Sequence, residues 1–311
     1  MWVVLTAFKQ CRWLLVSLGY LIASASFAND FPVKVVDALG RSVIVKERPQ
    51  RIVTVFSSNT EIVAALGLSR LIVGIDGYTY YPESIKKVPK IGGRLGFSLD
   101  SIVAQNPDLV IMTPARQATH QLVLPLDRLG IASVVVNGGS IETILQNILL
   151  ISHVTGVPEV GKSLVASMRK RLAAIPTLSS CPKVVLITGR IGGLLLIARR
   201  SYSTVNAYTA DIVTKAGGCL VFDDGESMLP QLNQVSPEVI LAANPDIILF
   251  AGSDSELLEL SRSIAGWEGM KAAQTGFVRA VSRSQLLISG PRVIDGVEAL
   301  STIFQAWDRQ Q

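Results

Sequence analysis

The sequence predicts an α/β fold of two Rossmann-like lobes with parallel-type sheets, joined by one long backbone helix. Three observations lead there. Short β-branched runs alternate with helical patterns, one segment recurs 138 residues later, and a long helical stretch without a strand partner separates the two sets of strands. At 311 residues and 49% hydrophobic composition, the chain can bury two cores of ordinary size.

Residues 1–28 come first. Lys9 and Arg12 precede an apolar run from Trp13, and Ser26-Phe27-Ala28 places small residues where signal peptidase reads; cleavage after Ala28 and a periplasmic location are expected. Export lowers the net charge from +5 to +3, since only Lys9 and Arg12 are lost. No block of like charge remains to follow a phosphate backbone, which excludes nucleic acid as a partner. An N-terminal lobe is expected over 29–157, with strands at 51–56, 71–75, 108–112 and 133–136. Ile144, Ile148 and Ile151, then Val160, Leu164, Met168 and Leu172, recur at helical spacing on either side of Gly156-Val157-Pro158, which breaks the pattern into two helices. The second, within 158–178, links the lobes. The C-terminal lobe, 179–311, carries strands at 183–188, 194–198, 246–250 and 276–281.

The repeat is the most informative feature. Residues 98–111, ending Asn106-Pro107-Asp108-Leu109-Val110-Ile111, recur as 236–249, ending Asn244-Pro245-Asp246-Ile247-Ile248-Leu249. Each copy reads as an N-capping serine, an acidic residue in the first turn, a short helix stopped by Asn-Pro, and a buried strand. A weaker echo links Thr60-Glu61-Ile62 through Gly67 with Ala210-Asp211-Ile212 through Gly217. Asp100 and Glu238 are the paired acidic residues. Each suits a helix dipole, and together they offer one carboxylate per lobe to a two-subunit basic partner.

Enzyme motifs give no support: there is no Gly-x-Ser-x-Gly, residues 92–96 lack dinucleotide spacing, and no phosphate loop is expected. A secreted enzyme would have to use Asp100, Asp211 or Glu238 without a recognised motif. Gly189-Arg190-Ile191-Gly192-Gly193 reads equally as an anion cradle or a turn between strands. A binding role fits better, because open α/β lobes take ligands at the carboxyl ends of their strands. The loops there supply Ser58, Asn59, Tyr78, Tyr80, Tyr81, Arg94 and Arg116 from one lobe, and Arg190, Tyr202 and Arg292 from the other. Three of the six tyrosines fall within four positions. Aromatic and guanidinium groups on cleft loops suit a large, partly aromatic, anionic ligand. The lone His120 and His153 do not make a metal site. In the exported part Cys181 and Cys219 can form a disulfide or stay a free buried pair.

Asp37-Ala38-Leu39-Gly40-Arg41, Pro49-Gln50-Arg51-Ile52-Val53, Asn59-Thr60-Glu61, Asn106-Pro107-Asp108, Gly217-Gly218, Val235-Ser236-Pro237-Glu238 and Gly290-Pro291-Arg292, in this order, carry a family resemblance. The chain resembles the periplasmic substrate-binding proteins of iron-complex, haem and vitamin B12 ABC importers. The resemblance implies a monomeric, non-enzymatic receptor without a resident cofactor, a stiff single-helix hinge, and docking of Asp100 and Glu238 onto arginines of a permease dimer in the inner membrane. It implies a metal-chelate ligand. Haem members often carry a tyrosine where this chain has Gly92-Gly93. Vitamin B12 members share Tyr78 but stack the corrin on tryptophans near positions matching Arg94, Thr113 and Leu232. By this comparison a ferric siderophore is the expected ligand, followed by a corrinoid and then haem.

Overall fold

Apolar and polar residues alternate in Val33–Val36 (β1) and Ser42–Val45 (β2), and the two strands pair as an antiparallel hairpin with one face buried. The sequence reading did not anticipate this hairpin. Its turn is organised by Asp37, whose Oδ1 accepts from the backbone N–H of Leu39 and Arg41 at 3.0 Å each. The structure is a computed structural model that describes residues 31–93, 96–113, 119–199, 207–223 and 233–311. The expected leader 1–28 and the site candidates Arg94, Arg116 and Tyr202 lie outside these residues, as does the His120 side chain.

The N-terminal lobe follows with Ile52–Val55 (β3), Ser57–Ala65 (α1), Ile72–Ile75 (β4), Gly92–Gly93 (β5), Gly96–Phe97 (β6), Leu99–Val103 (α2), Leu109–Met112 (β7), Leu124–Arg128 (α3) and Ala132–Val135 (β8). Strands β4, β3, β7 and β8 form, in that order, a wholly parallel sheet. All residues of β3 and β7 are buried, as expected for strands covered on both faces. Val53, Val55, Val110 and Met112 pack with Ile102 and Leu126 on one side.

Ile141–Val154 (α4) and Pro158–Ala173 (α5) are the two expected helices. Ser140 caps α4 through the N–H of Thr143, Gly156 turns at φ 73, and Pro158 opens α5. α5 ends at Ala173. Gly161 lets α5 approach α4 closely: a Cβ there would lie 2.0 Å from Ser152 Oγ.

The C-terminal lobe comprises Lys183–Ile191 (β9), Leu194–Ile197 (β10), Ala207–Lys215 (α6), Cys219–Leu220 (β11), Gln234–Val235 (β12), Pro237–Ala243 (α7), Ile247–Ala251 (β13), Asp254–Ser263 (α8), Lys271–Gln274 (α9), Val278–Val281 (β14), Arg283–Leu286 (α10) and Val293–Asp308 (α11). Its sheet is mixed. Strands β11, β13 and β14 enter in parallel, whereas β9 to β10 and β10 to β12 are antiparallel. The expectation of parallel-type sheets thus holds for the first lobe and only partly for the second. Residues 189–193 belong to the β9–β10 hairpin, with Gly192 at φ 58, so the turn reading of those glycines is the one the backbone adopts.

The repeat is real in geometry. Asn106 and Asn244 end their helices at φ 46 and 44, the left-handed conformation that asparagine tolerates. Asp108 then accepts from the N–H of Arg51, and Asp246 from that of Lys183, so each Asn-Pro-Asp clamps its strand to the start of the lobe's first parallel partner. One expected cap differs. Ser98 accepts from Ser101 N–H, but the Ser236 hydroxyl bonds Glu238 instead of capping α7.

Cys181 and Cys219 are joined in a disulfide, with Cα atoms 5.7 Å apart. The bridge ties the chain entering β9 to β11, at the amino ends of the strands.

Candidate functional site

A parallel sheet brings the carboxyl ends of β3, β4 and β7 side by side, and the loops that leave them form one rim. Phe56 leaves β3 at φ 77 and ψ 141, a conformation costing a residue with a β-carbon about 1–3 kcal/mol. Its ring sits edge-on against Phe97, with centroids 5.3 Å apart. This turn delivers Ser58 and Asn59 into α1, where both are buried. Asn59 Nδ2 donates to Val55 O at 2.7 Å and to Thr113 Oγ1 at 3.1 Å, tying the end of β3 to the end of β7. These two predicted ligand residues therefore build the floor under the rim.

The tyrosine loop after β4 is held from below. Asp76, 2% exposed, accepts from Tyr78 N–H at 2.8 Å and from the Thr79 hydroxyl at 2.5 Å, while Lys90 Nζ donates to Thr79 O at 2.8 Å. Thr79 Oγ1 also lies 2.9 Å from Ser57 Oγ, which joins this loop to the one after β3. The backbone is fixed while the rings face outward: Tyr78, Tyr80 and Tyr81 are 53, 69 and 49% exposed. Exposed aromatic rings on an anchored loop are suited to stacking on a ligand. Asp76 escaped the sequence reading, although an Asp-Gly directly after a strand is a turn signal that pointed to it.

Arg292, from the loop before α11, reaches this rim from the other lobe. Its guanidinium stacks 4.1 Å from the Tyr81 ring centroid. Its Nε and Nη2 donate to the two carboxylate oxygens of Glu61 at 2.9 and 2.5 Å. Burial raises the Glu61 pKa, opposed by the hydrogen bond and charge of Arg292; the Arg292 pKa is raised by its bond to Glu61. Arg292, expected as a ligand cation, is engaged by Glu61, a residue the expected site omits although it stands in the Asn-Thr-Glu segment and in the weaker repeat echo. Arg190 is exposed near the end of β9, beyond the last β9–β13 pair at Ile187 and Phe250.

Asp100 and Glu238 are both exposed in the first turns of α2 and α7, one on each lobe. The Ser236 hydroxyl and a backbone N–H lower the Glu238 pKa. Trp267 and Trp307 are buried in the C-terminal lobe. Among the described residues no three His, Cys, Asp or Glu side chains cluster as a metal site, and no helix is long and apolar enough to cross a membrane.

Gly156 to Ser163 spells a phosphate loop by letter, Gly-x-x-x-x-Gly-Lys-Ser, where none was expected. The segment follows a helix rather than a strand, its second glycine packs on Ser152 within α5, and Lys162 pairs with Glu159 at 2.7 Å. It lacks the strand–loop–helix setting that cradles phosphate.

Comparison with known proteins agrees with this architecture. The chain is 29% identical over 276 residues to an uncharacterized ABC transporter substrate-binding lipoprotein, YvrC, of Bacillus subtilis, covering 87% of this chain and 85% of the relative. It is 24% identical over 271 residues to a vitamin B12-binding protein of Vibrio cholerae, covering 86% and 94%. Among solved structures, the apo periplasmic heme-binding protein RhuT from Roseiflexus sp. RS-1 superposes with a TM-score of 0.72 at 26% identity, over 83% of this chain and 99% of that one. The family model described as periplasmic binding protein matches residues 52–283, most of the chain. With two α/β lobes, a linking helix and a match of that extent, the chain belongs to the periplasmic binding protein family, a non-enzymatic group of transport components.

Proposed function

We propose that the exported protein, cleaved after Ala28, is a periplasmic receptor that captures a metal chelate between its lobes and presents it to an ABC permease dimer through Asp100 and Glu238. The observation that carries the reading is the anchored tyrosine loop of one lobe meeting Arg292 of the other, because it makes both lobes border the same aromatic rim. The relatives support the chelate class: those named above include a vitamin B12-binding and a heme-binding protein.

Within that class we favour a corrinoid. The siderophore expectation came from the missing haem tyrosine and corrin tryptophans, with arginines and tyrosines of the cleft loops left to pair with chelate oxygens; of those arginines, Arg292 is held by Glu61. What the described rim offers is ring area, suited to a broad macrocycle. A ferric siderophore is the second reading, favoured by the exposed Arg190. Titration of the purified exported chain with cyanocobalamin, a ferric trihydroxamate and hemin, followed by visible absorption and calorimetry, tests both. Saturable binding of cyanocobalamin supports the first, and of the trihydroxamate the second. Binding of none of the three overturns the chelate reading.

A further inference from the structure

The two halves of the weaker repeat both reach across the interlobe seam. Glu61 on α1 accepts from Arg292, just before α11, the last helix of the other lobe. Asp211, its repeat counterpart on α6, accepts from the N–H of Ile141 at 2.9 Å, at the start of α4, and Tyr208 N–H donates to Gly139 O at 2.7 Å beside it. In each case an acid on an early helix of one lobe meets the amino end of a late helix of the other. Asp211 shows what the seam alone requires, a carboxylate on a backbone N–H.

At Glu61 an arginine has been inserted into that contact, and it does something the Asp211 contact does not. Both carboxylate oxygens of Glu61, which is 3% exposed, take the guanidinium edge, which fixes the plane of the group. The face of that plane lies against Tyr81. Gly290 keeps the loop close, since a Cβ there would stand 3.3 Å from Glu61 Oε2. We infer that Glu61 and Arg292 are positioning residues for ligand capture: Glu61 sets the guanidinium plane, and that plane holds the Tyr81 ring of the opposite lobe in its ligand-facing orientation. The inference rests on the receptor reading for its purpose, but not for its geometry.

The test uses the whole exported chain labelled with 3-fluorotyrosine, with the Tyr81 ¹⁹F resonance identified by its loss in Y81F. Glu61→Gln, Arg292→Lys and Asp211→Asn are compared by ¹⁹F spectra, thermal melting and titration with cyanocobalamin, a ferric trihydroxamate and hemin. The expected result is that Arg292→Lys, which keeps the charge but not the plane, and Glu61→Gln both shift the Tyr81 resonance. Each also weakens binding of the probe the wild type takes, by about three- to tenfold, the scale of a cation–π contact. Asp211→Asn lowers the melting temperature and leaves resonance and affinity in place. If Arg292→Lys and Glu61→Gln lower only the melting temperature, as Asp211→Asn does, the positioning role is overturned. Failure of every probe to bind the wild type would count against the receptor reading alone, because the Tyr81 resonance still decides the geometry.

Discussion

The two lobes share a helix-to-strand unit and differ in what surrounds it. In both, an asparagine in the left-handed region ends a short helix and an aspartate two residues later clamps the first parallel strand pair. The N-terminal lobe keeps a wholly parallel sheet, its rim tied down by Asp76, Thr79 and Asn59. In the C-terminal lobe β9 runs on into an antiparallel hairpin, and a disulfide fastens the opposite end of the sheet. The duplicated unit is a local solution to stopping a helix and starting a buried strand, so it survives in both copies. The rim and the sheet edges are set by long-range contacts and differ between the lobes.

The largest expected effect lies on the outer surface. If the lobes dock equivalently, Asp100→Ala combined with Glu238→Ala abolishes ligand-dependent stimulation of permease ATPase activity in reconstituted vesicles while leaving the ligand Kd unchanged. A residual response in one single variant but not the other would show that the lobes dock unequally. Next comes the disulfide. Cys181 and Cys219 are 38 residues apart, so Cys181→Ser with Cys219→Ser removes about 3–4 kcal/mol of stability in denaturant melts. Affinity should not change, because the bridge sits at the amino ends of the strands; a change in affinity would break the division between a ligand end and a stapled end.

Smaller still are the paired asparagines. Asn106→Ala should cost about 1 kcal/mol, through the left-handed backbone. Asn244→Ala should cost about 1 kcal/mol more, because Asn244 Oδ1 also accepts from Lys271 N–H. Equal costs would mean that the Lys271–Asn244 hydrogen bond contributes nothing. The smallest effect is a difference in pH dependence between two acids near α11. Burial raises the Glu61 pKa from 4.5, so its share of stability is full below about pH 4.5 and is lost as pH rises through the folded value. Arg171 lowers that of Glu298, whose share is full above about pH 4.5 and is lost as pH falls through the lowered value. Urea melts of wild type, Glu61→Gln and Glu298→Gln from about pH 3 to pH 7 should therefore show wild-type-minus-variant differences of opposite slope.

Period and punctuation made the two lobes, their eight main strands, the helix break at Gly156-Val157-Pro158 and the repeat legible in the chain, because burial pattern, proline and asparagine act within a few residues. The β1–β2 hairpin escaped because its strands alternate apolar and polar residues with one face exposed, whereas the strands that were read are mostly continuous apolar runs, and the letters of a phosphate loop were harmless because their setting is helical. The candidate rim was legible as a set of loops: Tyr78, Tyr80, Tyr81 and Arg292 were named from their place after strands and in the Gly-Pro-Arg segment. Their division of labour was not. That Cys181 meets Cys219, that Asn59 lies beneath the rim, and that Arg292 turns its edge to Glu61 and its face to Tyr81 were decided only by tertiary structure. Each depends on residues up to 231 positions apart arriving within hydrogen-bond reach, and no local rule of the chain carries that distance.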